Sequence, residues 1–75
     1  MIVVEGLGDF YFERANGERV LLGSNISEQE AMKIMAKFLE DHNFKSYYTR
    51  IWRVDNEVYY DVGSHSERFI FTIQN

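Results

Sequence analysis

Ser27-Glu28-Gln29-Glu30-Ala31-Met32-Lys33-Ile34-Met35-Ala36-Lys37-Phe38-Leu39-Glu40-Asp41-His42-Asn43-Phe44 is the stretch that decides the fold. Ala31, Ile34, Met35, Phe38 and Leu39 follow the i, i+3, i+4, i+7, i+8 spacing of a helix with one apolar stripe. Glu28, Lys33, Lys37, Glu40 and Asp41 fall mostly on the other side of the wheel. Ser27 is a good N-cap, and Glu30 stands where a capping box needs its acid. Ile26 can lean on Ala31 as a small hydrophobic staple. Asn43 suits the left-handed position after the helix, with Phe44 returning toward Leu39 in a Schellman ending. The spacing predicts a helix from about Glu28 to His42.

On both sides of this helix the apolar period changes from 3.6 to two, the period of strands. Upstream, Ile2 to Arg14 reads as strand, with a bend or bulge at Gly6-Leu7-Gly8. Ala15-Asn16-Gly17 reads as a hairpin turn, and charge chooses its register. A loop of Asn16-Gly17 alone would set Arg14 against Arg19 and Phe12 beside Leu21. Including Ala15 in the loop instead pairs Arg14 with Glu18 and Glu13 with Arg19, with Gly17 in the left-handed bulge position. Opposite charges across strands contribute roughly 0.2–1 kcal/mol each, and like charges cost a similar amount. The longer loop is therefore expected, with Phe10, Phe12, Val20 and Leu22 on one face.

Downstream, Lys45 to Val54 and Glu57 to Gly63 form a second hairpin turning at Asp55-Asn56, both of which tolerate positive φ. This register sets Arg50 opposite Asp61, Ile51 opposite Tyr60 and Trp52 opposite Tyr59. Thr49, Ile51, Val58, Tyr60 and Val62 then share the face that suits the helix. A last strand, Arg68 to Gln74, directs Phe69, Phe71 and Ile73 inward and Arg68, Ile70 and Thr72 outward. The expected architecture is α+β, a single domain over residues 1–75 in the order β-β-α-β-β-β, with the helix on one face of an antiparallel sheet.

Composition narrows the function classes. The chain has 75 residues, 45% hydrophobic and 16% aromatic, and no Cys. That excludes a thiolate nucleophile, a Cys-based zinc site and a disulfide-stapled scaffold, and makes the cytoplasm the expected compartment. No apolar run approaches the roughly 18 residues of a membrane span, and Met1-Ile2-Val3-Val4 lacks the basic start of a signal peptide. A net charge of −4 opposes binding to DNA or acidic membranes.

No motif supports an enzyme, and no cofactor or metal is expected. Asp61-Val62-Gly63-Ser64-His65-Ser66-Glu67 holds the residue types of a triad, but neighbours in sequence rarely converge as a triad must. It reads more simply as a hydrogen-bonded turn. His42 and His65 have no partner at metal-ligand spacing, and the helix dipole explains His42 at a helix end. Gly6-Leu7-Gly8 precedes no helix and is not a phosphate loop.

The informative feature is the outer face of the second hairpin, which carries Tyr48, Arg50, Trp52, Val54, Tyr59 and Asp61. One helix covers one side of a sheet, so this face is expected to meet solvent or a partner. Trp, Tyr and Arg are the side chains enriched at binding hot spots. The plainer account is that aromatics suit strands and that Trp52 stacks on Tyr59 for stability. As a recognition face, Tyr48, Trp52 and Tyr59 would anchor a partner, with Arg50 and Asp61 supplying polar specificity. Lys45, Tyr47, Arg50 and Arg53 beside these rings also suit a nucleotide, its base stacked and its phosphate on Arg50 or Arg53. A third role for the face is a homo-oligomer interface.

His42-Asn43-Phe44-Lys45-Ser46-Tyr47-Tyr48-Thr49-Arg50-Ile51-Trp52 and Tyr60-Asp61-Val62-Gly63-Ser64-His65-Ser66-Glu67 resemble stretches of short, uncharacterised proteins of phages and prophages of low-GC Gram-positive bacteria. The resemblance covers the C-terminal half and, more loosely, the helix. It transfers no functional residue. It implies a setting, the cytoplasm of an infected bacterial host, and a role: binding and inhibiting a host protein, including factors of antiviral defence.

Overall fold

In a computed structural model, residues 6–44, 49–63, 66–74 are described. Among them are β1 (Leu7–Glu13), β2 (Arg19–Ser27), α1 (Glu28–Asp41), β3 (Arg50–Val54), β4 (Glu57–Asp61) and β5 (Arg68–Ile73). All strand pairs are antiparallel, and the sheet order is β2-β1-β5-β4-β3. The C-terminal strand thus inserts between the two hairpins and joins them into one sheet. The architecture is α+β, as the periodicity predicts.

The first turn has the expected form. Glu13 pairs with Arg19, and the Arg14 N–H donates to Glu18 O at 2.7 Å. Gly17 closes the loop at φ +88°, a conformation that costs a glycine little. Near its other end β1 slips register against β2 on either side of Phe10, so Phe10 lies opposite Gly23. A Cβ on Gly23 would fall 2.7 Å from Ile26 Cδ1 and 3.1 Å from Ile34 Cδ1. The missing side chain is what lets Ile26 and the helix close over the strand.

Both helix ends follow from their caps. The Ser27 hydroxyl accepts the Glu30 N–H at 3.2 Å and donates to the Glu30 carboxylate at 3.3 Å. At the far end Asn43 takes φ +51°, Asn43 N–H donates to Glu40 O, and Phe44 N–H donates to Leu39 O at 2.9 Å. These are the two bonds of a Schellman motif. The helix itself ends at Asp41, one residue short of the expected His42, which serves as the cap. The His42 side chain is also engaged: its Nδ1 lies 2.8 Å from Phe38 O, and its ring stacks on Phe38 at 4.1 Å.

The core lies between α1 and the sheet. Phe10, Ala31, Val58, Tyr60, Val62, Phe69, Phe71 and Ile73 are buried, and Phe12, Leu22, Ile26, Met32, Ile34, Met35, Phe38 and Leu39 pack against them. Phe10 stacks on Phe69 with centroids 5.5 Å apart and meets Tyr60 edge-on at 6.3 Å. Gly8 admits no substitution cheaply, because a Cβ there would lie 2.3 Å from Thr72 O.

Two expectations, one about the second hairpin and one about the last strand, need correction. Ile51 does alternate onto the helix side, yet it is 46% exposed. Helix α1 contacts β2, β1 and β5, so it does not reach β3. On the opposite side Ile70 points outward as expected, yet it is fully buried. The strand boundaries also tighten: β4 ends at Asp61 rather than Gly63, and β1 and β3 start at Leu7 and Arg50. The expected strand portions over 2–5 and 45–48 lie outside the described residues.

Candidate functional site

The β3–β4 hairpin is regular over its whole length. Arg50 pairs with Asp61, Ile51 with Tyr60, Trp52 with Tyr59, Arg53 with Val58 and Val54 with Glu57. Asp55 takes φ +55° in the turn, as a short polar side chain permits. The even alternation puts Arg50, Trp52, Tyr59 and Asp61 on the outer face together. Trp52 and Tyr59 stack with centroids 5.4 Å apart and planes 11° from parallel. Tyr48 lies outside the described residues, as do Lys45, Tyr47, Ser64 and His65.

Sheet order extends this pair into something the sequence does not reveal. Trp52 pairs with Tyr59, Tyr59 with Ile70, Ile70 with Tyr11 and Tyr11 with Leu21. One apolar row therefore crosses all five strands on the outer face. Its centre is closed by the protein's own side chains. Arg19, on edge strand β2, reaches Glu57 on β4 at 2.8 Å, across β1 and β5 and the buried Ile70. Arg19 also meets Glu13 at 3.3 Å, and Arg68 meets Glu13 at 3.7 Å. Among the described residues the outer face is thus closed over Ile70 and open at Leu21 and along β3.

Glu57 is the hub of this cover. Its carboxylate accepts from the Tyr59 hydroxyl at 2.8 Å, from Arg19 Nη1 at 2.8 Å and from the Thr72 hydroxyl at 3.4 Å. The Tyr59 bond first, then Arg19, hold the Glu57 carboxyl below its ordinary value. The same bond raises the Tyr59 phenol above its own. Asp61 is likewise engaged, its Oδ1 accepting the Gly63 N–H at 3.0 Å. Of the expected site residues, Tyr59 and Asp61 are thus partly committed to the fold. Arg50 is exposed and makes no side-chain bond among the described residues.

Apart from the outer face, a concavity opens on the helix side, with a volume of about 690 Å³. Phe12, Phe38, Phe44 and Phe69 line it, and Arg14 and His42 stand among its polar residues. It forms where the first hairpin loop meets the C-terminal end of α1, a junction that no local pattern announces.

No known family, curated protein or solved structure matches this chain. Among the described residues no group of three His, Cys, Asp or Glu side chains could hold a metal ion, and no helix is long and apolar enough to cross a membrane.

Proposed function

We propose that this chain is a small interaction protein that binds another protein through the corner of the sheet built by β3 and β4. The observation that carries this reading is the edge strand itself. Arg50, Ile51, Arg53 and Val54 are all exposed beside the Trp52–Tyr59 stack, in the part of the sheet that α1 leaves uncovered. Such a group of aromatic, aliphatic and guanidinium side chains has the composition of a binding hot spot. On the resemblance to phage proteins, the proposed partner is a host protein and the proposed consequence of binding is its inhibition, with antiviral defence factors as the first targets to examine.

The test is affinity capture from bacterial lysate with the tagged chain and two variants, followed by an activity assay of the purified captured protein. Trp52→Ala should release the partner, whereas Lys33→Ala, on the exposed side of the helix, should retain it. Retention by both variants overturns the site, and an unaltered activity of the captured protein overturns inhibition.

A second reading, a small-molecule binder that sequesters a nucleotide, is favoured by the volume of the groove. Binding pockets span roughly 300–1,000 Å³, and Arg14 in its lining gives a phosphate a partner. A calorimetric titration with common cyclic and linear nucleotides that gives no heat overturns it.

A further inference from the structure

We propose that the partner docks by adding an extended strand to the free edge of β3, and that this strand carries the pattern acidic, apolar, apolar, acidic. The inference rests on the interaction reading above and names the chemistry of its partner.

The two edges of the sheet differ in their capacity to accept a strand. Along β2 the pairing slips twice, and Asn25 adopts φ +56°. Asp9 also pins that edge, taking the Ser24 hydroxyl at 2.9 Å and the Asn25 N–H at 3.2 Å. Bulges and irregular backbone are how sheets blunt an edge. Strand β3 has neither, since five consecutive residues pair with β4 without interruption. Successive residues of an antiparallel strand turn their backbone groups to opposite sides, so a regular outer strand presents a row of unpaired donors and acceptors. Adding a strand there uses main-chain bonds for affinity and side chains for specificity.

Charge selects the occupant. The protein has a net charge of −4, but β3 itself carries two arginines and no acid. On the adjacent strand Glu57 already holds Arg19, Tyr59 and Thr72 and Asp61 holds the Gly63 N–H, while Asp55 lies in the turn beyond Val54. Among the described residues Arg53 spends only its Nε, on Asp55 O at 2.7 Å, and the Arg50 side chain makes no bond. These two guanidiniums stand on opposite faces of the strand, with Ile51 and Trp52 between them. An incoming strand therefore meets them with acidic residues on its own two faces, separated by two apolar residues that cover Ile51 and Trp52. A second copy of this chain fits worse. Pairing β3 antiparallel with itself over its full length sets Arg50 against Val54 and Arg53 against Ile51, so neither guanidinium gains the opposite charge that a cross-strand pair rewards.

The probe is a capped peptide with glutamate, valine, tyrosine and glutamate in succession between serine and threonine flanks, titrated into the isotopically labelled full chain. Amide resonances of Arg50–Val54 should shift first. Replacing both glutamates by lysine should weaken binding about tenfold or more, two opposite pairs becoming two like ones. Methylating alternate backbone nitrogens should abolish binding in one phase and spare it in the other. The double variant Arg50→Glu with Arg53→Glu, its fold checked by the same spectrum, should invert the preference toward lysine. Unmoved β3 amides overturn strand addition, and equal binding of both peptides overturns the acidic pattern. Dimerisation of the free chain in light scattering, lost in Trp52→Ala, gives the edge to a second copy and overturns both. None of these failures removes the interaction reading, whose site falls if Trp52→Ala keeps its captured partner.

Discussion

The two hairpins obey the same local rules and end in different environments. In β1–β2 the register slips, Gly23 makes room for Ile26 and Ile34, and the helix lies over the strands. In β3–β4 the register is unbroken, and no helix lies over β3. Phe10 and Ile51 both alternate toward the helix side, yet one is fully buried and the other 46% exposed. In a sheet with a single covering helix, alternation tells which side a residue takes. The position of the helix tells whether that side is dry.

The sharpest way to break this comparison is to truncate both residues. Phe10→Ala should cost about 3–5 kcal/mol, the range for an aromatic removed from a packed core. Ile51→Ala should change stability by less than about 0.5 kcal/mol, as exposed positions do. Urea denaturation of both variants measures it, and similar costs would mean that β3 is covered in solution. Next in size is Gly8→Ala, where the new methyl group meets the Thr72 carbonyl. It should destabilise by about 1–3 kcal/mol through overpacking, whereas an unchanged midpoint would show that β1 and β5 separate easily.

Tyr60 tests the join between the hairpins and the helix. Its buried hydroxyl donates to the Glu28 carboxylate at 2.8 Å. Burial first, then that bond, push the phenol far above its ordinary value of 10. A folded phenol that keeps its proton while the unfolded one loses it stabilises fully below pH about 10, and the contribution declines as pH rises beyond that. Tyr60→Phe should lose about 0.5–1.5 kcal/mol at neutral pH and show a flatter alkaline decline. An equally steep decline would mean that another group governs that limb.

The smallest expected effect belongs to the cover on the outer face. Glu57→Gln breaks an ion pair whose side chains are about a third exposed, so its cost should be at most about 1 kcal/mol. The Glu57 carboxyl is depressed in the folded chain, so its contribution is present above its ordinary value of 4.5 and fades as pH falls below that. Stability of the variant measured from pH 3 to 7 should vary less than that of the parent. A variant as acid-sensitive as the parent would remove Glu57 from its role as hub.

Much of the secondary structure was legible because its causes are local. The Ser27 cap, the Asn43 ending, the Gly17 loop and the Asp55-Asn56 turn each depend on residues within one turn of chain, and charge pairing chose between registers that differ by one residue. The partnership of Trp52 with Tyr59 was legible for the same reason. Glu28 was not: it reads as a solvent-facing acid on the helix wheel, and only the fold brings the Tyr60 hydroxyl, remote in sequence, to its carboxylate. Nor was the closure over Ile70, because Arg19 and Glu57 belong to different hairpins and meet only once β5 has been inserted between them.

From the sequence alone came the order of elements, the faces of each strand, the helix caps and the pairing within each hairpin, all of them short-range consequences of period, charge and turn chemistry. The tertiary structure decided the strand order, the reach of the helix and hence which edge stays open. Those depend on how the two hairpins and the last strand bury their apolar faces together, and no local stretch contains that information.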